Sequence, residues 1–246
     1  MITQYHRPTT IDEAVALVGT PGAHVIIEGT AFDSTEDRDE TVAIDLQSLN
    51  LDEIEMSGGA MRIGSMTTLA DLASFPQTPP MIAELASREQ PSTIRNAMTI
   101  GGVIALNDPE SELLAGLVAF NASVTVARAA SIHDHPIEAT LENPQLIEDS
   151  IIIDVSIETG GTSAAHRTGR TPMDRPIVMV AGHLDSAGHI RLAVTGVDAQ
   201  VIAMKPGQVD ALVPPTDFRG TSRYRKALAT VLTKRVLADL SGGIAK

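Results

Sequence analysis

The first fifty residues combine one stretch of helical apolar periodicity with two short apolar runs. Thr10 and Glu13 have the spacing of a capping box, and the apolar residues that follow predict a helix ending at Gly19. The runs 24–27 and 42–45 predict two buried strands. The chain is therefore predicted to begin with a small α/β lobe that contains some parallel pairing.

The middle of the chain mixes helical and strand patterns. Gly58-Gly59 predicts a hairpin turn. Ser111 is predicted to cap a helix that continues through Phe120, and the alternating segment 122–126 predicts a strand behind it. This part is expected to form a second lobe of mixed α+β structure.

From about residue 151 the pattern changes to that of an antiparallel meander. Strands are predicted over 151–157, 177–184 and 189–197, and a polar four-residue turn joins the last two. A final helix is predicted to begin at Ser222 and to present one apolar stripe. The C-terminal part is therefore expected to be an antiparallel sheet plus helices.

Together these elements predict an α+β fold in three parts. The first two lobes, about 1–56 and 57–155, are expected to form one domain over 1–155, and the C-terminal domain is expected to cover 156–246.

The composition of the chain argues against several classes of function. Among 246 residues there are 18 basic and 31 acidic side chains, a net charge of −13, so we expect no nucleic-acid partner. Cysteine is absent, which excludes disulfides, thiol nucleophiles and iron–sulfur clusters bound by this chain. The start of the chain lacks an apolar signal segment and no stretch is long enough to span a bilayer, so we expect a cytoplasmic protein without a membrane span.

Two glycine-containing segments, 27–31 and 94–104, are candidates for binding an anion. Glycine lets main-chain N–H groups approach an anion closely, and successive N–H groups form a concave site that suits a diphosphate. Thr30 and Thr99 would add hydroxyl donors. Each segment alone is also typical of an ordinary turn, so both interpretations remain open at this point.

Two further clusters of polar side chains have alternative interpretations. His133 and His135 would share one face of a strand and could offer two metal ligands, but a third ligand is not evident, and a polar turn before Pro136 is the predicted structure. The last helix contains several basic residues in an otherwise acidic chain. They are expected to meet either the chain's own acidic surface or a partner subunit.

The glycine segments occur within an ordered set of motifs that resembles the FAD-binding (medium) subunit of molybdenum hydroxylases, the family of carbon monoxide dehydrogenase medium subunits and xanthine dehydrogenase flavin domains. The first flavin loop of that family reads Ala-Gly-Gly-Thr-Asp, and the second reads Ile-Arg-Asn-x-x-Thr-Ile-Gly-Gly-Asn. The resemblance covers nearly the whole chain. Its motifs fall at 5–8, 12–14, 27–31, 44–46, 51–54, 63–68, 94–103, 111–113, 224–225 and 235.

The resemblance implies a PCMH-type FAD-binding fold with FAD held between the first two lobes. It implies an electron-transfer subunit of a molybdopterin-dependent dehydrogenase, with electrons arriving from iron–sulfur clusters on a small subunit and leaving to NAD or another acceptor. A large subunit would carry the molybdopterin. The cofactor-binding residues implied by the motifs are Gly29, Thr30, Thr99, Ile100, Gly101, Gly102 and Glu112.

The chain departs from the family motif at the cofactor loops. Glu28 stands in place of a glycine, Ala31 in place of an aspartate, Val103 in place of an asparagine and Glu112 in place of an aspartate. A carboxylate about 4 Å from a phosphate costs roughly 1 kcal/mol in water and about 4 kcal/mol at an intermediate dielectric. Two alternatives therefore stay open: a flavin-free scaffold subunit of the same fold, and a relative of other FAD enzymes acting on its own substrate.

The resemblance also implies a basic residue near the flavin, at Arg167 or Arg170. A cation there would stabilise an anionic reduced flavin. An ordinary surface charge explains the same residues equally well.

Overall fold

In its described residues, the N-terminal lobe is a three-stranded parallel sheet with one α-helix. The computed structural model of the chain describes residues 2–26, 41–129, 131–171 and 174–242. Strands β1 (Ile2–His6), β2 (Ala23–Val25) and β3 (Thr41–Ile44) lie in the order β1-β3-β2, with both pairings parallel. Helix α1 (Ile11–Val18) begins where the Thr10 hydroxyl accepts a hydrogen bond from the Glu13 N–H at 3.2 Å. The predicted α/β lobe and its helix cap are confirmed.

The second lobe is an antiparallel five-stranded sheet covered by helices. Gly58 and Gly59 adopt φ angles of +59° and +88°, as a tight hairpin turn requires. The sheet order is β4-β5-β8-β6-β7. Its strands are β4 (Ile54–Ser57), β5 (Ala60–Gly64), β6 (Ser123–Arg128), β7 (Ser131–Pro136) and β8 (Ile151–Glu158). Its helices are α2 (Leu69–Ser74), α3 (Pro80–Glu89), α4 (Ser92–Arg95), α5 (Ile100–Leu106), α6 (Glu112–Ala119) and α7 (Ile137–Glu142).

The C-terminal part is an antiparallel four-stranded sheet packed against a long helix. The strand order is β12-β11-β10-β9, and the helix is α8 (Ser222–Gly242). Of the apolar stripe predicted for α8, Leu232, Val236 and Leu240 are buried on this sheet and Leu228 is partly buried against it. Ala229 packs with them, whereas the predicted Val231 is 46% exposed. The strands are β9 (Thr162–Thr168), β10 (Val178–Leu184), β11 (Ile190–Thr195) and β12 (Ile202–Met204). The predicted α+β fold class is confirmed.

Helix α6 joins the second lobe to the C-terminal sheet. All eight of its residues are buried. Its apolar side chains share one core with Met179 and Ala181 of β10, and Gly116 lets it approach α3 so closely that an added Cβ would lie 2.7 Å from Leu85 Cδ1. At its C-terminal end, Phe120 stacks on His183 of β10 with ring centroids 4.0 Å apart. Helix α6 is therefore held against the C-terminal sheet.

The prediction of a polar turn around His133 and His135 is wrong. These residues lie in β7, which pairs with β6 at the edge of the second sheet. The side chains on both faces of an edge strand can remain in solvent. A strand made of polar residues can therefore form at the edge of the sheet without an apolar face. Among the residues that the structure describes, no group of three or more His, Cys, Asp or Glu side chains is placed to hold a metal ion.

Within the described ranges, none of the helices is both long enough and apolar enough to cross a bilayer.

Candidate functional site

A cavity of about 350 Å³ lies between the N-terminal lobe and the second lobe. One wall comes from α1 and the end of β2, and the opposite wall comes from the segment after β5 and the start of α5. A third side is formed by 147–152, the approach to β8. The residues that the first two walls contribute are Val18, Ala23, His24, Val25, Ile26, Leu46, Ser65, Met66, Thr99, Gly101, Gly102 and Ala105.

The second glycine segment is folded as the start of a helix. Thr99 is the N-cap of α5, and its hydroxyl accepts a hydrogen bond from the Gly102 N–H at 3.1 Å. The Ile100 N–H donates to Thr67 O at 3.0 Å, and the Gly101 N–H donates to Ser65 O at 2.9 Å. The first three N–H groups of the helix are therefore already paired, in contrast to the open anion-binding turn that the sequence suggests. Only the bond from Gly102 ends on a side chain, which a ligand oxygen could replace.

Gly101 is needed for packing as well as for any ligand. A Cβ at this position would lie 2.8 Å from Ser65 O and 2.9 Å from Ser65 Cβ. The Ser65 hydroxyl is itself buried at the cavity wall and has no hydrogen-bond partner among the described residues. The start of α5 thus lies directly on the segment after β5, with one unused hydroxyl between them.

The first glycine segment can be placed only through the strand that leads into it. Gly29 and Thr30, together with Glu28 and Ala31, lie outside the described residues. Ile26, the last described residue before them, donates its N–H to Ile44 O at 2.9 Å and lines the cavity. The approach to the first segment therefore reaches the same cavity as Thr99, Gly101 and Gly102.

Ile100 and Val103 point away from this cavity. Ile100 is fully buried in the core of the second lobe, so only its main chain is near the cavity wall. Val103 is also buried and lines a smaller cavity of about 210 Å³ together with Met98 and Leu106.

Glu112 lines a different cavity, of about 170 Å³, between the second lobe and the C-terminal sheet. Its side chain is 6% exposed, and Oε1 lies 3.1 Å from Nη2 of Arg167. Burial raises the pKa of Glu112, and the neighbouring Arg167 acts in the opposite direction. Glu112 Oε2 has no hydrogen-bond partner within the described part of the chain. The structure therefore places Glu112 at a different cavity from Thr99, Gly101 and Gly102.

Three ion pairs tie the segment before α6 to the C-terminal part. Each uses an acidic residue from 108–112 and an arginine from after β8. The pairs are Asp108 with Arg175, Glu110 with Arg219, and Glu112 with Arg167. The sequence analysis did not predict these pairs, because the partners are far apart along the chain.

Arg167 and Arg170, which the resemblance placed near the flavin, have different surroundings. Arg167 lies in the cavity with Glu112. Arg170 is exposed and pairs with Asp174 at 3.3 Å. Arg170 is therefore an ordinary surface charge in this structure.

Glu89 is a further, half-buried carboxylate that the sequence did not indicate. Its Oε2 accepts a hydrogen bond from the Leu113 N–H at 2.9 Å, at the start of α6. Burial raises the pKa of Glu89, whereas the Leu113 and Ser111 hydrogen bonds lower it. Glu89 and Glu112 line the same cavity.

Comparison with known proteins identifies the family. The model of the FAD binding domain in molybdopterin dehydrogenase matches residues 1–157. The chain is 28% identical to the YgfM protein of Escherichia coli (strain K12), over 97% of this chain and 96% of that protein. It is 24% identical to the carbon monoxide dehydrogenase medium chain of Hydrogenophaga pseudoflava, over 95% of each chain.

The fold comparison agrees with the sequence comparison. A solved structure of carbon monoxide dehydrogenase from Hydrogenophaga pseudoflava superposes with a TM-score of 0.85 at 23% identity, over 97% of both chains. The family match spans well over half of the chain. This chain therefore belongs to the family of FAD-binding domains of molybdopterin dehydrogenases.

Proposed function

We propose that this chain is the FAD-binding electron-transfer subunit of a molybdopterin-dependent dehydrogenase. The observation that carries the proposal is the shared cavity, because the strand leading into Gly29 and Thr30 lines it together with Thr99, Gly101 and Gly102. The strand that leads into the first glycine-containing segment and the second such segment, more than sixty residues apart in the sequence, thus line one ligand-sized space.

The described walls of this cavity fit the diphosphate part of a dinucleotide in three respects. Its volume of about 350 Å³ falls within the usual range for small-molecule sites. The start of α5 faces the cavity, and aligned peptide dipoles favour an anion at that end of a helix. The wall also contains the Ser65 hydroxyl, which lacks a partner among the described residues. When bound there, FAD would supply the chemistry of accepting and releasing electrons.

We assign the diphosphate to the start of α5 and to the first glycine segment. Gly29, Thr30, Thr99, Gly101 and Gly102 would hold it, with Ile100 contributing only through its main chain. The Gly102 N–H would exchange the Thr99 hydroxyl for a ligand oxygen at little cost, because one hydrogen bond replaces another.

Glu112 is assigned a separate role at the second cavity. Its Oε2 has no hydrogen-bond partner among the described residues. It would accept a hydrogen bond from a hydroxyl group of the cofactor's sugar. Arg167 would keep that carboxylate charged and oriented, since it occupies the other oxygen.

The division of the chain and its partners are part of this proposal. The FAD-binding domain would cover 1–155, with lobes of about 1–56 and 57–155, and the C-terminal domain would cover 156–246. An iron–sulfur small subunit and a molybdopterin large subunit would be the partners, NAD or another acceptor would take the electrons, and the complex would be cytoplasmic. The net charge of −13 supports the absence of a nucleic-acid partner.

One observation favours the alternative of a flavin-free scaffold subunit. The first three N–H groups of α5 are all paired within the chain. These paired N–H groups, together with the negative charge of Glu28 in the first segment, would make the binding of a diphosphate weak.

A flavin titration separates the two functions. The purified chain is titrated with FAD while the flavin fluorescence and calorimetric heat are recorded. Saturable one-to-one binding supports the proposed function, and the absence of binding at millimolar FAD contradicts it. The variant Glu28→Gly is titrated in parallel, without Val103→Asn, because Val103 is buried away from this cavity. If only this variant binds FAD, the chain is a scaffold that has lost the cofactor.

A further inference from the structure

Two histidine side chains lie on one face of the edge strand β7. Residues two apart on a strand point to the same side, and His133 and His135 have this spacing. Their ring centres are 6.1 Å apart, and the ring planes are inclined at 38°. His133 is exposed and His135 is half-buried, so an ion in solvent can reach both rings. The strand structure of this segment therefore brings two imidazoles together at the surface.

The separation of the two rings suits a shared metal ion. Two imidazoles that bind one tetrahedral ion at about 2.1 Å have ring centres about 5 Å apart. The observed 6.1 Å is close to that value, and a rotation of the exposed His133 side chain is sufficient to reach it. The Ser131 hydroxyl lies 3.0 Å from His133 Nε2 and can hold that nitrogen while Nδ1 binds the ion. Imidazole ligands select ions such as Zn²⁺, Ni²⁺ and Cu²⁺ over Mg²⁺ and Ca²⁺.

Two ligands from one chain leave the coordination of such an ion incomplete. A structural zinc site has four protein ligands. Among the residues that the structure describes, no third His, Asp or Glu side chain is placed to join His133 and His135. A complete site therefore needs ligands from a second molecule, which would have to bind beside β7.

The outer edge of β7 is open to such a molecule. β7 is the last strand in the order β4-β5-β8-β6-β7, and β6 is its one partner among the described strands. Just after β7, the Ile137 N–H donates to Ala122 O at 2.9 Å, on the side of β6. Because the N–H and C=O groups of successive residues alternate between the two sides of a strand, those of Ile132 and Asp134 face outwards. Another strand can pair with them.

A second copy of this chain supplies the missing ligands when the two β7 edges pair. An antiparallel pairing with its two-fold axis at Asp134 places His133 of one copy opposite His135 of the other. The two histidines flank Asp134 on either side in the sequence, so all four imidazoles would lie on one face, close to the axis. Main-chain hydrogen bonds of Ile132 and Asp134 would join the two sheets into one.

The charges of the chain make this pairing depend on the ion. Each chain has a net charge of −13, so two copies repel each other. The two Asp134 side chains would also lie opposite each other on the other face of the sheet, and like charges in that position are destabilising. A divalent cation held by four imidazoles offsets this repulsion. Without the cation, the repulsion protects the edge from self-association.

We propose that His133 and His135 form half of a binding site for a divalent transition-metal ion such as Zn²⁺, and that the ion joins two copies of this chain through their β7 edges. One ion binds per two chains, with four imidazole ligands. The proposal goes beyond the proposed function and does not rest on it, because no residue of β7 lines the cavity assigned to the diphosphate.

The test uses the purified full chain without a polyhistidine tag, freed of metal ions with EDTA. Zinc chloride is added, the mass is measured by analytical ultracentrifugation, and the number of bound ions is measured by calorimetry. Magnesium chloride is the control salt. His133→Ala and His135→Ala are the site variants. His189→Ala is the matched control, because His189 is an exposed histidine in the turn between β10 and β11.

The wild-type chain is expected to double its mass with zinc, at one ion per two chains, and to keep its mass with magnesium. Each site variant should weaken the zinc-dependent association at least about tenfold, whereas His189→Ala should behave as the wild type does. Asp134→Asn removes the opposed charges and keeps an oxygen that can accept the hydrogen bond from the Thr125 hydroxyl. It should therefore tighten the association about two- to fivefold.

Four results would overturn the proposal. Zinc could bind one ion per chain without a change in mass, both site variants could associate like His189→Ala, or magnesium could act as zinc does. A weaker association of Asp134→Asn would show that the pairing is not centred on Asp134. The flavin titration of His133→Ala is expected to match that of the wild type, so that a chain which ignores FAD removes the proposed function and leaves the metal site.

Discussion

Glu112 Oε1 lies 3.1 Å from Arg167 Nη2 across the boundary between the second lobe and the C-terminal sheet. Glu112 is also the first residue of α6, where the helix dipole favours a negative charge. The pair therefore fixes both the start of α6 and the position of β9. Two opposing effects act on the pKa of Glu112: burial raises it, and the Arg167 cation lowers it.

Replacing Arg167 should lower the stability of the protein. Arg167→Met leaves the Glu112 carboxylate buried without its counter-charge, so we expect the free energy of unfolding to fall by about 3 kcal/mol at neutral pH. Urea denaturation measures the change. The loss should be smaller under acidic conditions, because a protonated Glu112 no longer needs the cation. Arg170→Met is the control, since that exposed pair should contribute less than about 1 kcal/mol. Equal losses in the two variants would contradict the assignment.

His183 should make stability depend on pH. Burial lowers its pKa from the ordinary value of 6.5, although the hydrogen bond to Gly160 O and the charge of Asp185 raise it. Below pH 6.5 the unfolded chain therefore takes up a proton that the folded chain resists, so the folded state loses stability as the pH falls. The free energy of unfolding is measured by urea denaturation above and below pH 6.5. We expect it to fall less for His183→Gln than for the wild type as the pH is lowered. A His183→Gln protein that loses as much stability as the wild type over this range would contradict this role of His183.

Gly101→Ala should disturb the start of α5. Its Cβ would meet Ser65 O and Ser65 Cβ at less than 3 Å, and both belong to a buried segment that cannot easily move. We expect a loss of about 1–3 kcal/mol in unfolding free energy, as for other overpacked sites. Thermal denaturation checks this result. Gly242→Ala is the control, because nothing lies within 4 Å of the added methyl group and stability should not fall. An unchanged Gly101→Ala protein would mean that α5 can shift freely.

Two hydroxyl groups at the cavity wall should respond in opposite directions. Thr99→Val removes the N-cap of α5, so it should cost about 1 kcal/mol of stability. Ser65→Ala removes a buried hydroxyl that lacks a partner among the described residues, so the flavin-free protein should become more stable by up to about 1 kcal/mol. Urea denaturation of both variants tests the contrast. A destabilised Ser65→Ala protein would show that this hydroxyl makes an interaction with the rest of the chain.

Elements with a local signal were predictable from the sequence. The Thr10 cap, the Gly58-Gly59 turn and the Ser111 cap each involve residues within four positions of one another, and all three are present in the structure. β1 and β7 were not predicted, because their pairing partners are distant or their side chains are polar. The start of α5 was not predicted, because it contains Gly101 and Gly102 and glycine is a weak helix former.

The candidate site was predictable only in part. The motif resemblance indicated Thr99, Gly101 and Gly102, and the structure places all three at one cavity. It did not separate Glu112 from them. The arginine partners of 108–112 lie more than fifty residues away in the sequence, so neither spacing nor periodicity could have found them.

Helix α6 has a consequence for how the molecule unfolds. Because it is buried on every side, a chain truncated at residue 157 would expose to water the apolar surface that normally faces β10 and β11. The region matched by the family model, residues 1–157, is therefore not expected to fold stably on its own. The second lobe and the C-terminal sheet should melt together in a single cooperative transition.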